Sequence, residues 1–190
     1  MSVNEQSQAD LWDREYRDGR WDFLHAMREV PRYGIVSAYL AQILKPGSLL
    51  DIGCGDGVLM DYVPADKITR YVGVDLAQEA LDRFRGLPKG GDLVCTDLQS
   101  YQTDEKFDAI LFNEVLFFAD DPAKELARYK PFLTKDGAMV ISLYVKASGG
   151  AAKQLAKVEE ALSSPGWQLI DSCSLVSNQK GTKWHLFLVR

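Results

Sequence analysis

Leu49-Leu50-Asp51-Ile52-Gly53-Cys54-Gly55-Asp56-Gly57-Val58-Leu59 reads as a buried strand that runs into a glycine turn and then a helix. Leu49 to Ile52 supply the short apolar run of a strand. The glycines at 53, 55 and 57 supply a backbone that bends sharply and admits a ligand with no Cβ in the way. Val58 and Leu59 restart an apolar pattern, which predicts a helix over 58–62 whose first amides face back into the turn and favour anionic or polar groups. Taken alone, G-x-G-x-G serves equally well as a tight structural turn between strand and helix.

A second apolar run, Val72-Gly73-Val74-Asp75, ends in a carboxylate about twenty residues on, where an acid at a strand end can accept hydrogen bonds from both ribose hydroxyls. The spacing fits a nucleoside. The dinucleotide fingerprint places its third glycine one residue later, and its strand seldom carries an aspartate ahead of the turn. Here Asp51 stands two residues before Gly53. On these residues the chain resembles the class I S-adenosylmethionine-dependent methyltransferases, whose first motif has the form hydrophobic-Asp-hydrophobic-Gly-x-Gly-x-Gly. The resemblance covers about 31–190. It implies an enzyme that uses S-adenosylmethionine and releases S-adenosylhomocysteine. The implied fold is α/β, a Rossmann-like seven-stranded, mostly parallel sheet with helices on both faces and an antiparallel C-terminal hairpin.

The 190 residues are enough for one well-buried domain over 1–190 and too few for two. Apolar residues make up 46% and charged residues 26%, as in ordinary globular proteins, with no long apolar run or secretory signal. The cytoplasm is therefore the expected location, with no membrane partner. Twenty-two basic against twenty-seven acidic residues give a net charge of −5, which argues against a nucleic-acid partner held by phosphate neutralisation and favours a small-molecule substrate. Whether the chain is a monomer or a homodimer is open. Cys54, Cys95 and Cys173 lack the paired spacing of a zinc site. Cys54 reads as a small side chain that fits the turn.

Residues 1–10 are polar and without period, as at a frayed terminus. From 11 to 30, Trp12, Tyr16, Trp21 and Phe23 interleave with arginines and His25, a mixture that suits packing on one side and a polar cavity on the other. The resemblance makes 11–30 a lid over cofactor and substrate; a helix packed on the sheet edge with solvated arginines fits as well. Pro31 opens a helix with apolar residues at Ile35, Val36, Tyr39, Leu40, Ile43 and Leu44. Strands are expected at 48–52, 70–74, 92–96, 107–112 and 138–144, alternating with helices at 78–85 and 123–132, and with a turn at Lys135-Asp136-Gly137. That alternation indicates a parallel sheet. A helix at 151–163 precedes strands at 167–176 and 182–189, which pair as a hairpin.

In open α/β sheets a ligand binds beyond the carboxyl ends of the strands, where strand order reverses. Gly53, Asp75, Asp97 and Asn113 all fall at such ends. By the family pattern, the backbone at Gly53 and Gly55 receives the methionine moiety and Asp51 its ammonium. Asp75 binds the ribose, and Leu76 flanks the adenine. Asp97 and the Leu98 amide read the adenine edge, and Asn113 turns a carbonyl to the ammonium. The alternative for each aspartate is a helix N-cap.

Methyl transfer from a sulfonium is an in-line displacement, so the enzyme chiefly aligns the reactants and excludes water. A hydroxyl acceptor usually requires a base or metal, whereas a neutral amine or a thiolate does not. N- and O-transfer are both open. In quinone-type O-methyltransferases the run after the fourth strand ends in Glu-His; here Phe117-Phe118 leaves Glu114 alone, so no metal is expected. The aromatic pair resembles the small N-methyltransferases of the nodulation type. Candidate bases are His25 and Glu114. Tyr16, Trp21, Arg28, Tyr33, Phe117 and Tyr144 are candidate walls of the acceptor pocket. The rival readings are a nicotinamide-dependent oxidoreductase and a non-catalytic S-adenosylmethionine-binding regulatory module.

Overall fold

The computed structural model describes residues 3–179 and 181–190, with side chains from Gln8 onward. The apolar runs form seven strands: β1 (Gly47–Ile52), β2 (Ile68–Asp75), β3 (Asp92–Cys95), β4 (Phe107–Asn113), β5 (Leu133–Tyr144), β6 (Leu169–Val176) and β7 (Lys183–Val189). They make one sheet in the order β3-β2-β1-β4-β5-β7-β6. The first five pair in parallel, while β7 runs antiparallel between β5 and β6. This is the Rossmann-like sheet expected from the sequence, with its C-terminal hairpin.

Among the described residues five α-helices accompany the strands: α1 (Val3–Arg17), α2 (Val30–Ile43), α3 (Gln78–Asp82), α4 (Pro122–Tyr129) and α5 (Gly150–Leu162). Because strand side chains alternate, the sheet has two apolar faces. One packs Leu49, Leu111, Val140 and Trp184 against Val36 and Leu40 of α2. The other packs Leu50, Ile110, Phe112 and Ile141 against Leu126 of α4 and Val158 of α5. No helix of the described residues is long and apolar enough to cross a membrane.

Register places the site. Ile52 lies level with Val74 of β2 and Phe112 of β4, so the next residues, Gly53, Asp75 and Asn113, stand in one row at the sheet's carboxyl edge. The chain leaves β1 between neighbours on opposite sides, and a crevice opens there.

Four local expectations change. The helix expected at 58–62 is a single 3₁₀ turn, Val58–Asp61, opened by Gly57 in the left-handed region. The helix expected at 78–85 stops at Asp82, because the Arg85 amide turns away to donate to the Asp56 carbonyl at 3.1 Å. Lys135–Gly137 lies inside the long strand β5 rather than in a turn, and an irregular register against β4 absorbs it. Residues from Val3 on are helical rather than frayed; Met1 and Ser2 lie outside the described residues.

Candidate active site

A cavity of about 1070 Å³, counted to its open mouth, lies at the carboxyl edge of β1, β2 and β4. Its floor is the glycine turn. The Gly53 and Cys54 amides both donate to the Val74 carbonyl, at 2.7 and 3.1 Å, which folds the turn back onto β2. Gly53 and Gly55 have φ of 72° and 57°, a region that favours glycine. Their missing side chains also make room for the protein itself: a Cβ on Gly53 would come within 2.6 Å of Val115, and one on Gly55 within 2.8 Å of the Tyr16 hydroxyl.

Asp51, Gly53, Gly55, Asp75, Leu76, Asp97, Leu98 and Asn113 all line this cavity. Asp75 accepts the Gly55 amide through one carboxylate oxygen and the Ala77 amide through the other, both at 2.9 Å. Asp97 Oδ1 accepts the Gln99 and Ser100 amides at 2.8 Å, so it caps the following turn while facing the cavity. Asp51 is fully buried, and the Tyr71 hydroxyl donates to its Oδ2 at 3.0 Å. Burial pushes the Asp51 carboxyl up to about 7, against the Tyr71 hydrogen bond and with help from the nearby Asp75 charge. Its Oδ1 is buried without a partner. Burial raises the Cys54 thiol well above its ordinary value, which leaves it a poor nucleophile.

The roof comes from the N-terminal segment. Trp12 and Tyr16 of α1, and Trp21 and Leu24 beyond it, line the cavity opposite the glycine turn. Asp13 Oδ1 accepts the Glu79 amide at 2.9 Å, tying α1 to the start of α3. The Trp12 ring meets Phe118 edge-on at 4.8 Å and Trp21 at 5.3 Å. Burial, then the Asp75 and Asp56 charges, push the Tyr16 phenol far up, so it stays neutral.

The structure does not bring every candidate to the cavity. His25 stands outside it, with Nε2 2.7 Å from Asp56 Oδ2, in a surface recess shared with Asp22, Arg83 and Arg85. Arg28 is drawn off by Glu29 at 3.1 Å and lies over the Phe23 ring. Phe117 packs into the core beneath the sheet, leaving Phe118 as the member of the pair that faces the mouth. Tyr144 packs on the α2 face of the sheet and does not line the cavity. Tyr16, Trp21 and Tyr33 do line it.

Glu114 is at the cavity wall, but both carboxylate oxygens turn to β5. Ser142 Oγ donates to one at 2.6 Å and the Tyr144 amide to the other at 2.9 Å. Glu114 itself is in the left-handed region, with φ 64°. Burial raises its carboxyl, opposed by Arg32, the Ser142 hydroxyl and the Tyr144 amide.

Sequence reading missed Trp12 and Phe118 as cavity residues, and also Arg32. Its guanidinium is buried at the cavity floor, donating to Asn113 Oδ1 and, at 3.0 Å, to Glu29. The signal was the helical period: Arg32 lies one turn ahead of Val36 and Leu40, on the stripe that α2 buries. Among the described residues, no group of three or more His, Cys, Asp or Glu side chains is placed to hold a metal ion.

The floor fits S-adenosylmethionine, a cation with an ammonium at one end, adenine at the other and a ribose between them. The unpartnered Asp51 oxygen suits the ammonium, and the strand-end Asp75 suits the ribose.

Comparison with known proteins agrees. The chain is 27% identical over 108 residues to a tRNA U34 carboxymethyltransferase of Haemophilus ducreyi, a match that takes in 54% of this chain and 34% of that protein. The chain thus spans about a third of the length of that curated relative. In fold it is similar to the N-methyltransferase NodS of Bradyrhizobium japonicum, crystallised with S-adenosylhomocysteine (TM-score 0.76, 19% identity, 96% of this chain and 97% of that one). It is similar too to the 1,6-didemethyltoxoflavin-N1-methyltransferase of Burkholderia thailandensis (TM-score 0.72, 21% identity, 100% and 90%). A family model described as a methyltransferase domain matches residues 6–188. With the glycine turn, the acidic strand ends and this match spanning nearly the whole chain, the protein belongs to the methyltransferase domain family.

Proposed function

We propose that the chain, as a single domain, methylates a small planar acceptor at nitrogen or oxygen, and that 11–30 is the lid of that site. The observation that carries this reading is the contact of Trp12 with Phe118 across the mouth. The clustered rings of Trp12, Trp21 and Tyr16 on one side of the cavity support this reading, since such a surface suits stacking a flat ring rather than following a charged backbone. The net charge of −5 supports a small acceptor over a polyanion.

S-adenosylmethionine supplies an electrophilic methyl group on sulfur. The chain's own contribution is alignment and the exclusion of water. Asp51 holds the ammonium end of the cofactor, Asp75 the ribose, and Asp97 and Leu98 the adenine edge. The aromatic roof holds the acceptor and sheds water. An acceptor that arrives as a neutral amine needs no base from the protein, and this suits a site in which Glu114 is turned to β5 and His25 lies outside.

The name of the Haemophilus relative favours a second reading, a uridine in tRNA. Incubation with methyl-labelled S-adenosylmethionine and either a small-metabolite extract or total tRNA separates the two. Label is expected in a low-mass aromatic product; label confined to tRNA sinks the small-acceptor reading.

A further inference from the structure

Asp97 and Leu98 lie in the turn that follows β3, the edge strand of the sheet, so on the sheet side only β2 stands next to it. A side chain that does not line the cavity holds this turn from behind. It is Arg128, in the last turn of α4. One terminal nitrogen of its guanidinium donates to the Tyr101 carbonyl at 2.7 Å, and the other donates to the Leu98 carbonyl. Its Nε donates to Glu125, one helical turn earlier, at 2.7 Å, and the plane lies over the Tyr129 ring at 4.3 Å. The Tyr129 hydroxyl donates to the same Leu98 carbonyl at 2.8 Å. Both lone pairs of that oxygen are thereby taken.

The clamp sets directions as well as positions. The Asp97 carbonyl points into the turn, where it accepts the Ser100 and Tyr101 amides at 3.3 and 3.2 Å. A trans peptide carries its N–H opposite its C=O, so the Leu98 amide, which shares that peptide, points out of the turn. Asp97 Oδ1 accepts the Gln99 and Ser100 amides at 2.8 Å, which fixes the carboxylate on the same short segment. With the Leu98 and Tyr101 carbonyls tied to one planar fork, the turn cannot swivel without breaking both bonds. Leu98, Tyr101, Glu125 and Tyr129 are all buried, so water does not compete for these charge-assisted bonds.

We propose that Arg128 is a positioning residue for base recognition: by clamping the Leu98 and Tyr101 carbonyls it aims the Leu98 amide and the Asp97 carboxylate at the adenine edge. This rests on Asp97 and Leu98 as the groups that read the adenine. One is a donor and the other an acceptor, which matches a ring nitrogen beside an exocyclic amino group. Hypoxanthine presents the reverse, an N–H beside a carbonyl. A pair held rigidly rejects it; a pair free to swivel does so less well.

Calorimetry with S-adenosylhomocysteine and S-inosylhomocysteine tests this, since the two ligands differ only in that edge of the purine. The wild-type protein is expected to prefer S-adenosylhomocysteine by about 100-fold, within the range of a two-point reading of a base edge. Arg128→Met keeps the stem and removes the guanidinium. In it S-adenosylhomocysteine should weaken about tenfold while S-inosylhomocysteine stays within about threefold of wild type, so the ratio falls. Equal weakening of both ligands makes Arg128 a structural clamp only and overturns the proposal, as does an unchanged ratio. Arg128→Met leaves Glu125 buried without its cation; if that prevents folding, Arg128→Lys keeps the charge. One ammonium does not span two carbonyls as the fork does, so the ratio should still fall, by about fivefold, and an unchanged ratio again overturns the proposal. Failure of the adenine assignment looks different and takes the proposal with it: the wild-type protein then binds both ligands alike, or neither.

Discussion

Asp75 ties the glycine turn to the end of β2 by accepting the Gly55 amide through Oδ2 and the Ala77 amide through Oδ1, both at 2.9 Å. Its carboxylate is thus part of the turn as well as the proposed ribose ligand. Asp75→Ala should lower cofactor affinity at least about tenfold. It should also destabilise the protein, because two amides lose their acceptor at about 1–3 kcal/mol each if buried. For a chain of this size, at about 2–4 °C per kcal/mol, that lowers Tm by roughly 4–24 °C. Titration calorimetry and thermal unfolding on one preparation check both effects. A variant with unchanged affinity would remove Asp75 from the ribose site.

Asp51 should make cofactor binding depend on pH. Its carboxyl is raised to about 7 by burial, with the Tyr71 hydroxyl opposing and Asp75 assisting. Between its ordinary value near 4 and 7, the folded protein holds a proton there that the unfolded chain does not. This group's contribution to stability is therefore fully present below about pH 4 and lost as pH rises through 7. An ammonium needs the ionised form, so binding at pH 6 should release about one proton and binding at pH 8 almost none. Calorimetry in buffers of different ionisation enthalpy measures this, and Asp51→Asn should abolish the difference.

The edge of Trp12 on Phe118, at 4.8 Å, closes the mouth. Phe118→Ala removes a pair worth about 0.5–1.5 kcal/mol beyond its buried area. Proteolytic cleavage within 17–29 should speed up severalfold, and saturating S-adenosylhomocysteine should restore protection. Equal cleavage rates in variant and wild type would show that this contact does not hold the segment down.

Glu114 should act as a bracket rather than as a base. Glu114→Gln keeps an acceptor, and the Ser142 hydroxyl can reverse its own role, so methyl transfer is expected within about threefold of wild type. Glu114→Ala leaves the Tyr144 amide and Ser142 hydroxyl unpaired and should cost about 2 kcal/mol of stability. A pH–rate profile that loses a limb in Glu114→Gln would restore the base.

His25 reaches Asp56 rather than the cavity, with about two-fifths of its side chain exposed (39%). His25→Ala should therefore leave the pH dependence of methyl transfer unchanged, as initial rates between pH 6 and 9 will show.

The cavity floor was legible in the sequence because its residues sit at strand ends, and strand ends are marked locally. An apolar run stops, and a glycine, aspartate or asparagine follows, as at Ile52-Gly53, Val74-Asp75 and Phe112-Asn113. The turn at 135–137 and the helix at 58–62 were misread for the converse reason. A strong local signal, Asp136-Gly137 or Val58-Leu59, was overruled by pairing with β4 in the first case and by the left-handed Gly57 in the second.

The aromatic side of the cavity was less legible. Aromatic and basic residues between 11 and 30 announce a packed polar segment, but their order along the chain does not say which ring turns inward. Trp12 and Trp21 line the cavity, while Phe23 carries Arg28 on the surface.

By itself the sequence determined the order of strands and helices, the glycine turn and the acids beside it, because these follow from hydrophobic period and backbone freedom within a few residues. Only the tertiary structure decided that Arg32 meets Asn113, that Trp12 meets Phe118 and that His25 goes to Asp56. Each of these joins residues far apart in the chain, and which side chains meet depends on how a helix is rotated and seated on the sheet. That seating is set by the whole buried face of α2 and α1 at once, and no local stretch encodes it.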